Sequence, residues 1–187
     1  MATQLKTAVL GPTGYAGFEL TRLLARHPRV ATPLLLRREV EEGSTITLDE
    51  IYPQVSGNGA YPIEQFSWKR LQDAGVELLF MATPHEVSRE WMPEAVKRGL
   101  RVVDLSGAWR LREEANRAVY EFHDADEQAA AKLTDEAVYG LPELNRERIA
   151  NARLVANPGC YATSIIVALA PLVKAGLVDV LHDIICD

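Results

Sequence analysis

Apolar positions along this chain switch between two rhythms. Short, nearly continuous apolar runs at Thr7 to Leu10, Val30 to Leu36, Val76 to Met81, Arg101 to Asp104 and Arg153 to Ala156 read as buried strands. Pro33 makes the second of these irregular or places it at an edge. Helical patterns lie between them. From Tyr15 to Arg26, the side chains of Phe18, Leu20, Leu23 and Leu24 share one face, and His27-Pro28 stops the pattern. Ser67 to Ala74 is a short helix ended by Gly75. Glu86 to Arg98 is another, with Pro93 near the first turn of its main part and Gly99 at its end. Ala125 to Lys132 forms a further helix, and Asn145 caps a turn over Arg146 to Ala150. Cys160 to Ala175 is an apolar helix, read as buried, with Gly176 as its stop. Ile184 to Cys186 starts one more strand. Arg37 to Ala60 is polar and loop-like, with one helical turn near Leu48 to Ile51.

Strands alternating with helices of this length imply an α/β fold, a Rossmann-type doubly wound parallel sheet covered on both faces. Right-handed crossovers then put ligands at the carboxyl ends of the strands.

The bulk properties narrow the function. With 187 residues the chain holds one domain, or one domain and part of another. A net charge of −6 and a pI of about 5.3 leave no domain-wide basic field, so nucleic acid is not an expected partner. The two cysteines, Cys160 and Cys186, make no disulfide framework, which fits a reducing cytoplasm; Cys186, in an apolar strand, is read as a buried, inert thiol. His27, His123 and His182 read as structural, and no two histidines have metal-ligand spacing, so no metal is expected. Met1 to Leu10 lacks signal-peptide organisation. Leu154 to Val173 carries no charge, yet Asn157, Pro158, Gly159 and Pro171 interrupt it, so no membrane span is expected.

Two segments carry candidate chemistry. Gly11-Pro12-Thr13-Gly14-Tyr15-Ala16-Gly17 follows the first strand and opens the first helix. Glycines so spaced let a backbone turn sharply, approach a pyrophosphate and pack a helix on the sheet; a tight turn with no ligand is the alternative. About 20 residues on, where an acidic residue would hold a ribose hydroxyl, stand Arg37 and Arg38. Two guanidinium groups suit a 2′-phosphate, hence NADP(H) over NAD, unless they are a solvated pair balanced by Glu39, Glu41 and Glu42. The second segment is Asn157-Pro158-Gly159-Cys160, where a strand ends and a helix begins. Unpaired N–H groups and the helix dipole favour negative charge at a helix start, which suits a thiolate nucleophile. Cys160 as a small buried hydrophobe is the alternative. A nucleotide cofactor with such a cysteine suggests oxidation or reduction of an acyl group through a thioester.

Other loops belong to the same strand ends. Pro84 and His85 follow the Val76 to Met81 strand, beside the expected cofactor, and His85 either contacts a ligand or merely starts a helix. Ser106 and Arg110 follow the next strand, and Arg110 either grips a phosphate or carboxylate or is a plain surface arginine.

Taken together, Gly11 to Gly17 with Glu19-Leu20, Pro84-His85 with Val87-Ser88, Asp104-Leu105-Ser106 with Arg110-Leu111, Val138 to Asn145, and Leu154 to Tyr161 resemble the N-acetyl-gamma-glutamyl-phosphate reductases. The aspartate-semialdehyde dehydrogenases are similar at greater distance. The resemblance implies that Cys160 is the nucleophile, with Ser106, Arg110, His85 and Asn157 near the substrate. It implies NADPH-dependent reductive dephosphorylation of N-acetylglutamyl 5-phosphate to the 5-semialdehyde, in arginine biosynthesis, with inorganic phosphate as the other small molecule. It divides the chain into an NADP-binding domain over residues 1–157 and, over 158–187, the nucleophile helix and first strand of an α+β catalytic or dimerisation domain. The general-base histidine and the rest of that domain are expected beyond the point matching Asp187, in a homo-oligomer. The chain departs from the pattern at Glu86 and at Ala108-Trp109, which loosens the transfer of substrate contacts. A reductase of an aspartyl or aminoadipyl phosphate, and a non-catalytic cofactor-binding or assembly module, are the alternatives.

Overall fold

A computed structural model describes residues 4–39, 46–55, 61–178 and 184–186. Its strands are β1 (Thr7–Leu10), β2 (Leu34–Arg37), β3 (Ile46–Thr47), β4 (Pro62–Gln65), β5 (Leu78–Met81), β6 (Arg101–Asp104), β7 (Val138–Tyr139) and β8 (Leu154–Ala156). They form one sheet in the order β3-β4-β2-β1-β5-β6-β8-β7. Every neighbouring pair is parallel except β3 with β4. The helices are α1 (Tyr15–Ala25), α2 (Leu48–Ile51), α3 (Trp68–Ala74), α4 (His85–Lys97), α5 (Glu114–Ala118), α6 (Glu127–Glu136), α7 (Pro142–Asn151) and α8 (Cys160–Lys174).

The apolar runs form strands because both faces of the sheet are covered. Along β1, Ala8 and Leu10 join a core with Leu79, Met81, Met92 and Leu154, while Val9 between them joins Phe18, Leu35 and Ile63 on the other face. Burying each of the large aliphatic side chains in these two layers stabilises the fold by roughly 1.5–3 kcal/mol. β1 pairs with β2 on one side and β5 on the other, so the strand order reverses direction at β1. That reversal opens a crevice at the carboxyl ends of β1 and β5.

Several elements differ from the sequence reading. β2 begins only at Leu34, after Pro33, and Val30 makes an isolated bridge to Leu5. Pro93 lies well inside α4, where it forgoes the bond to the Arg89 carbonyl; the buried side chains of Ser88, Met92, Ala95 and Val96 hold the helix across it. α6 starts two residues later than expected, because the Asp126 side chain caps it by accepting from the Ala129 N–H. α7 begins at Pro142, and Asn145 sits at a kink inside it with φ −126°. Its side-chain amide donates to the Tyr139 carbonyl at 3.1 Å, tying the helix to β7.

The apolar helix α8 has no buried residue, so its burial is not observed. Among the described residues the start of α7, through Leu141 and Leu144, borders it across a cavity shared with Ile166, Val167 and Ala170. Ile184 to Cys186 is not a strand and is exposed, since no described strand lies beside it to take its backbone bonds; Cys186 is therefore neither buried nor in a strand. His182, Glu41 and Glu42 lie outside the described residues. No described helix is long and apolar enough to cross a membrane.

Candidate cofactor and nucleophile site

The turn from β1 to α1 is built around two glycines with no room for a side chain. Gly11 has φ +85°, and a Cβ there would stand 2.3 Å from the Ala82 carbonyl oxygen. At Gly17 a Cβ would stand 2.1 Å from the Gly11 carbonyl oxygen, so α1 packs directly on the turn. Gly14 differs: it precedes the helix with open space beside it, its nearest neighbour for a Cβ being 4.0 Å away. No side chain caps the α1 N-terminus and no acidic residue occupies its first turn. The first-turn N–H groups and the positive end of the helix dipole thus face outward at Gly14, as an anion requires. Tyr52 braces the turn, its hydroxyl donating to the Thr13 carbonyl at 2.8 Å and its ring stacked 3.9 Å from Phe18.

The turn borders a cavity of about 390 Å³ at the β1/β5 crevice. Gly11, Thr13, Gly14, Arg37, Arg38 and Pro84 all line it. Tyr15, Ala16 and Gly17 form the first helical turn behind it and do not line it; the Tyr15 side chain is 86% exposed. The hydroxyl of Thr83, also on the cavity, is buried without a hydrogen-bond partner. A buried hydroxyl left unpaired costs about 1–3 kcal/mol, which a polar ligand would recover. The cradle that excludes side chains at Gly11 and Gly17, the open Gly14, the orphaned Thr83 hydroxyl and two arginines fit a dinucleotide. Sequence reasoning missed Val87 and Trp91, which line the same cavity from α4.

Cys160 begins α8 at the carboxyl end of β8, at the same edge of the sheet, and is exposed. Its lead-in turn is held from both sides. The Asn157 N–H donates to the Asp104 carbonyl at 2.8 Å, and Arg110 Nη1 donates to the Asn157 carbonyl at 2.9 Å. The Arg110 guanidinium lies flat against Gly159, where a Cβ would be 3.3 Å from Nη2. No side chain caps this helix and no acidic residue stands in its first turn, so its leading N–H groups are open to a negative oxygen. Thr163 accepts nothing there; its hydroxyl and N–H both donate to the Gly159 carbonyl at 2.9 Å.

Beneath Arg110 lies a buried network. Asp104 is fully buried, and the hydroxyls of Ser88 and Ser106 donate to its two carboxyl oxygens at 2.8 Å. Trp109 Nε1 and the Ala108 N–H donate in turn to those hydroxyls. Burial pushes the Asp104 carboxyl above the usual carboxylate range, while the serine bonds and the Arg110 charge pull it back. Ser106 is thereby committed to Asp104 and Ala108. Arg89, which the sequence reading passed over, anchors this turn: it forms a two-pronged ion pair with Asp124 at 2.6 and 2.5 Å and donates to the Ala108 carbonyl. The Trp109 and Phe122 rings each lie 4.6 Å from its guanidinium.

The structure therefore brings Arg110 and Asn157 to Cys160, with Ser106 one layer behind. His85 goes elsewhere. It starts α4 with Nε2 3.2 Å from a Glu86 carboxylate oxygen, lies edge-on to Tyr120 and Phe122, and lines a separate cavity of about 560 Å³. Among the described residues no group of three or more metal-binding side chains occurs.

A glycine-cradled turn at the reversal point of a parallel sheet defines a dinucleotide-binding α/β domain. The chain belongs to the semialdehyde dehydrogenase, NAD binding domain, family, which it matches over residues 6–152. It is 45% identical over 176 residues to an N-acetyl-gamma-glutamyl-phosphate reductase of Syntrophobacter fumaroxidans, covering 94% of this chain and 48% of that protein. It is 41% identical to the reductase of the same name from Halalkalibacterium halodurans, covering 94% of this chain and 49% of the other. The resemblance read from the motifs is thus borne out. The chain spans about half the length of the curated relatives it matches. Its fold is that of aspartate semialdehyde dehydrogenase II from Vibrio cholerae, with a TM-score of 0.63 at 24% identity, covering 92% of this chain and 47% of that one.

Proposed function

We propose that this chain is the nucleotide-binding and nucleophile-bearing part of an NADPH-dependent reductase. It would convert N-acetyl-L-glutamyl 5-phosphate to N-acetyl-L-glutamate 5-semialdehyde and inorganic phosphate, in the cytoplasmic synthesis of arginine. The observation that carries this reading is that the glycine cradle, the two arginines and Cys160 stand along one edge of one sheet. By strand spacing, the ends of β1 and β8 are about 14 Å apart, three inter-strand steps. A dinucleotide held at Gly14 by its pyrophosphate would reach along that edge toward Cys160.

The Gly14 turn and the first N–H groups of α1 would hold the pyrophosphate, and Arg37 with Arg38 the 2′-phosphate. Cys160 Sγ attacks the acyl carbon. A carbon–sulfur bond forms, the carbon–oxygen bond to phosphate breaks, and phosphate leaves with the electron pair. The open N–H groups at the start of α8 stabilise the oxyanion during this step. Arg110, with Nε and Nη2 still available beyond its bond to Asn157, can receive the phosphate. NADPH, when bound, would supply the hydride that reduces the thioester carbon. The carbon–sulfur bond then breaks, the carbonyl re-forms as the aldehyde, and Cys160 departs as a thiolate ready for the next acyl group.

The test is phosphate-dependent oxidation of the semialdehyde with NADP by the full-length protein, followed by NADPH absorbance. Cys160→Ser should abolish it, and undiminished turnover would remove Cys160 from the chemistry. Comparing kcat/KM for N-acetylglutamyl, aspartyl and aminoadipyl semialdehydes decides the acyl group. The half-length match favours a second reading for the 187-residue chain by itself, a cofactor-binding or assembly module. Turnover by the isolated chain would dismiss that reading.

A further inference from the structure

We infer that Trp91 is a specificity-determining residue of the dinucleotide cavity, because its indole seats the Arg38 guanidinium where a ribose 2′-phosphate would lie. The inference rests on the NADP reading of that cavity and adds a residue from a different part of the chain.

Trp91 projects from α4, yet it lines the cavity that Gly14, Arg37, Arg38 and Thr83 line. The Arg38 Cζ atom lies 6.0 Å from the centre of the Trp91 ring. Arg38 is exposed, and among the described residues neither it nor Arg37 has an ion-pair partner. A long exposed arginine has many rotamers to choose from; a fixed ring face reduces the choice. Trp91 is fixed. Phe66 stacks on it at 4.3 Å with the planes 22° apart, and Trp68 meets both rings edge-on. The Phe66 N–H donates to the Arg37 carbonyl at 2.8 Å, so the aromatic cluster is tied to the end of β2.

Guanidinium is the cation suited to such a seat. It is planar and weakly hydrated, so its face rests on an indole while its edge N–H groups stay free for phosphate oxygens. A 2′-phosphorylated dinucleotide meets a charge already in place. A 2′-hydroxyl dinucleotide draws nothing from it.

Dissociation constants of the chain for NADPH and NADH, measured by calorimetry, test this. The reading is the NADH/NADPH ratio of constants. In Trp91→Leu and Trp91→Met the ratio should fall about 2- to 5-fold, the worth of one exposed cation–π contact. Trp91→Phe, which keeps a ring, should retain most of it. Arg38→Leu should lower the ratio at least as far, and adding Trp91→Leu to it should lower it no further. An unchanged ratio in Arg38→Leu, at an exposed position that cannot unfold the sheet, overturns the inference even if the Trp91 variants misfold. Equal weakening of both dinucleotides in Trp91→Leu also overturns it, since the ring would then serve the base. A starting protein that binds neither dinucleotide, or both equally, defeats the NADP reading itself. A starting preference for NADPH that Trp91→Leu leaves undiminished defeats only the role of Trp91.

Discussion

The three glycines of the first turn make a test that separates folding from binding. At Gly17 an added methyl carbon would stand 2.1 Å from the Gly11 carbonyl oxygen, 2.9 Å from the Gly11 carbonyl carbon and 3.0 Å from Pro12 Cα. All three are backbone atoms, so no side chain can swing away. Restoring ordinary contact requires α1 and the turn to part by more than about 1 Å. Over-packing of this kind costs about 1–3 kcal/mol, and backbone on both sides puts Gly17→Ala near the upper end. At Gly14 the same methyl meets nothing closer than 4.0 Å. Its backbone, φ −80° and ψ 158°, is open to alanine. The unfolded chain loses freedom, a gain of about 0.4–1 kcal/mol. Alanine is a poorer helix cap than glycine, which offsets it. Gly14→Ala should therefore match the parent's stability within about 1 kcal/mol. Its methyl would nonetheless occupy the open space beside the turn that a pyrophosphate would need.

Urea denaturation followed by tryptophan fluorescence reads the first effect, and NADPH titration reads the second. Gly17→Ala should lose about 3 kcal/mol and also bind poorly. Gly14→Ala should keep its urea midpoint while its NADPH affinity falls at least about tenfold, or about 1.4 kcal/mol. Parental affinity in a folded Gly14→Ala protein would show that the pyrophosphate does not lie at this turn. Parental stability in Gly17→Ala would refute the close packing of α1 on Gly11.

Three further outcomes follow from the charged groups. Asp124→Asn should cost about 3–5 kcal/mol in urea denaturation, because it leaves the buried Arg89 guanidinium without its counter-charge; a loss below about 1 kcal/mol would contradict that. Arg70 and Arg153 hold the carboxyls of Glu64 and Glu136 below their ordinary range, so the stability they add is present at neutral pH and is lost as pH falls through the lowered values. Both pairs are more than a third exposed, so Glu136→Gln should cost only about 0.5 kcal/mol at neutral pH and flatten the acid limb; an unchanged acid limb would count against it. Asp104 runs the other way. Burial raises its carboxyl in the folded state, so its contribution is greatest when protonated and declines as pH rises from the ordinary carboxylate range through the raised value. The stability advantage of the parent over Asp104→Asn should therefore shrink across that window, and a constant gap would refute the assignment.

The sequence pattern located the strands that are buried on both faces. Continuous apolar runs at β1, β5, β6 and β8 carry their own signal, and so do glycines with no room for a Cβ. It did not locate β3 and β7, which have two residues each and no period to detect, or β4, whose Pro-Ile-Glu-Gln mixes polar and apolar positions. It misjudged α8 because apolar composition argues for burial only where something is present to do the burying. The same limit applies to the site. Gly11, Arg37, Pro84 and Cys160 were placed by one rule, that parallel strands send all their carboxyl ends to one side.

That rule reaches the end of a strand and stops there, which is why it does not separate His85 from Trp91. Past β5 the chain enters a helix, and a helix turns about 100° per residue. Pro84, Val87 and Trp91 fall on one stripe of α4 at steps of three and four, and that stripe lines the dinucleotide cavity. His85, Glu86, Arg89, Glu90 and Pro93 fall on the next stripe and line the other cavity. One residue of offset therefore separates two sites. His85, next to Pro84 in sequence, is turned away from the dinucleotide cavity, while Trp91, six residues further on, lines it. The spacing that shows this was present in the sequence. What was missing was the anchor that sets the helix phase, the Ser88 hydroxyl bonded to Asp104 at the end of the neighbouring strand.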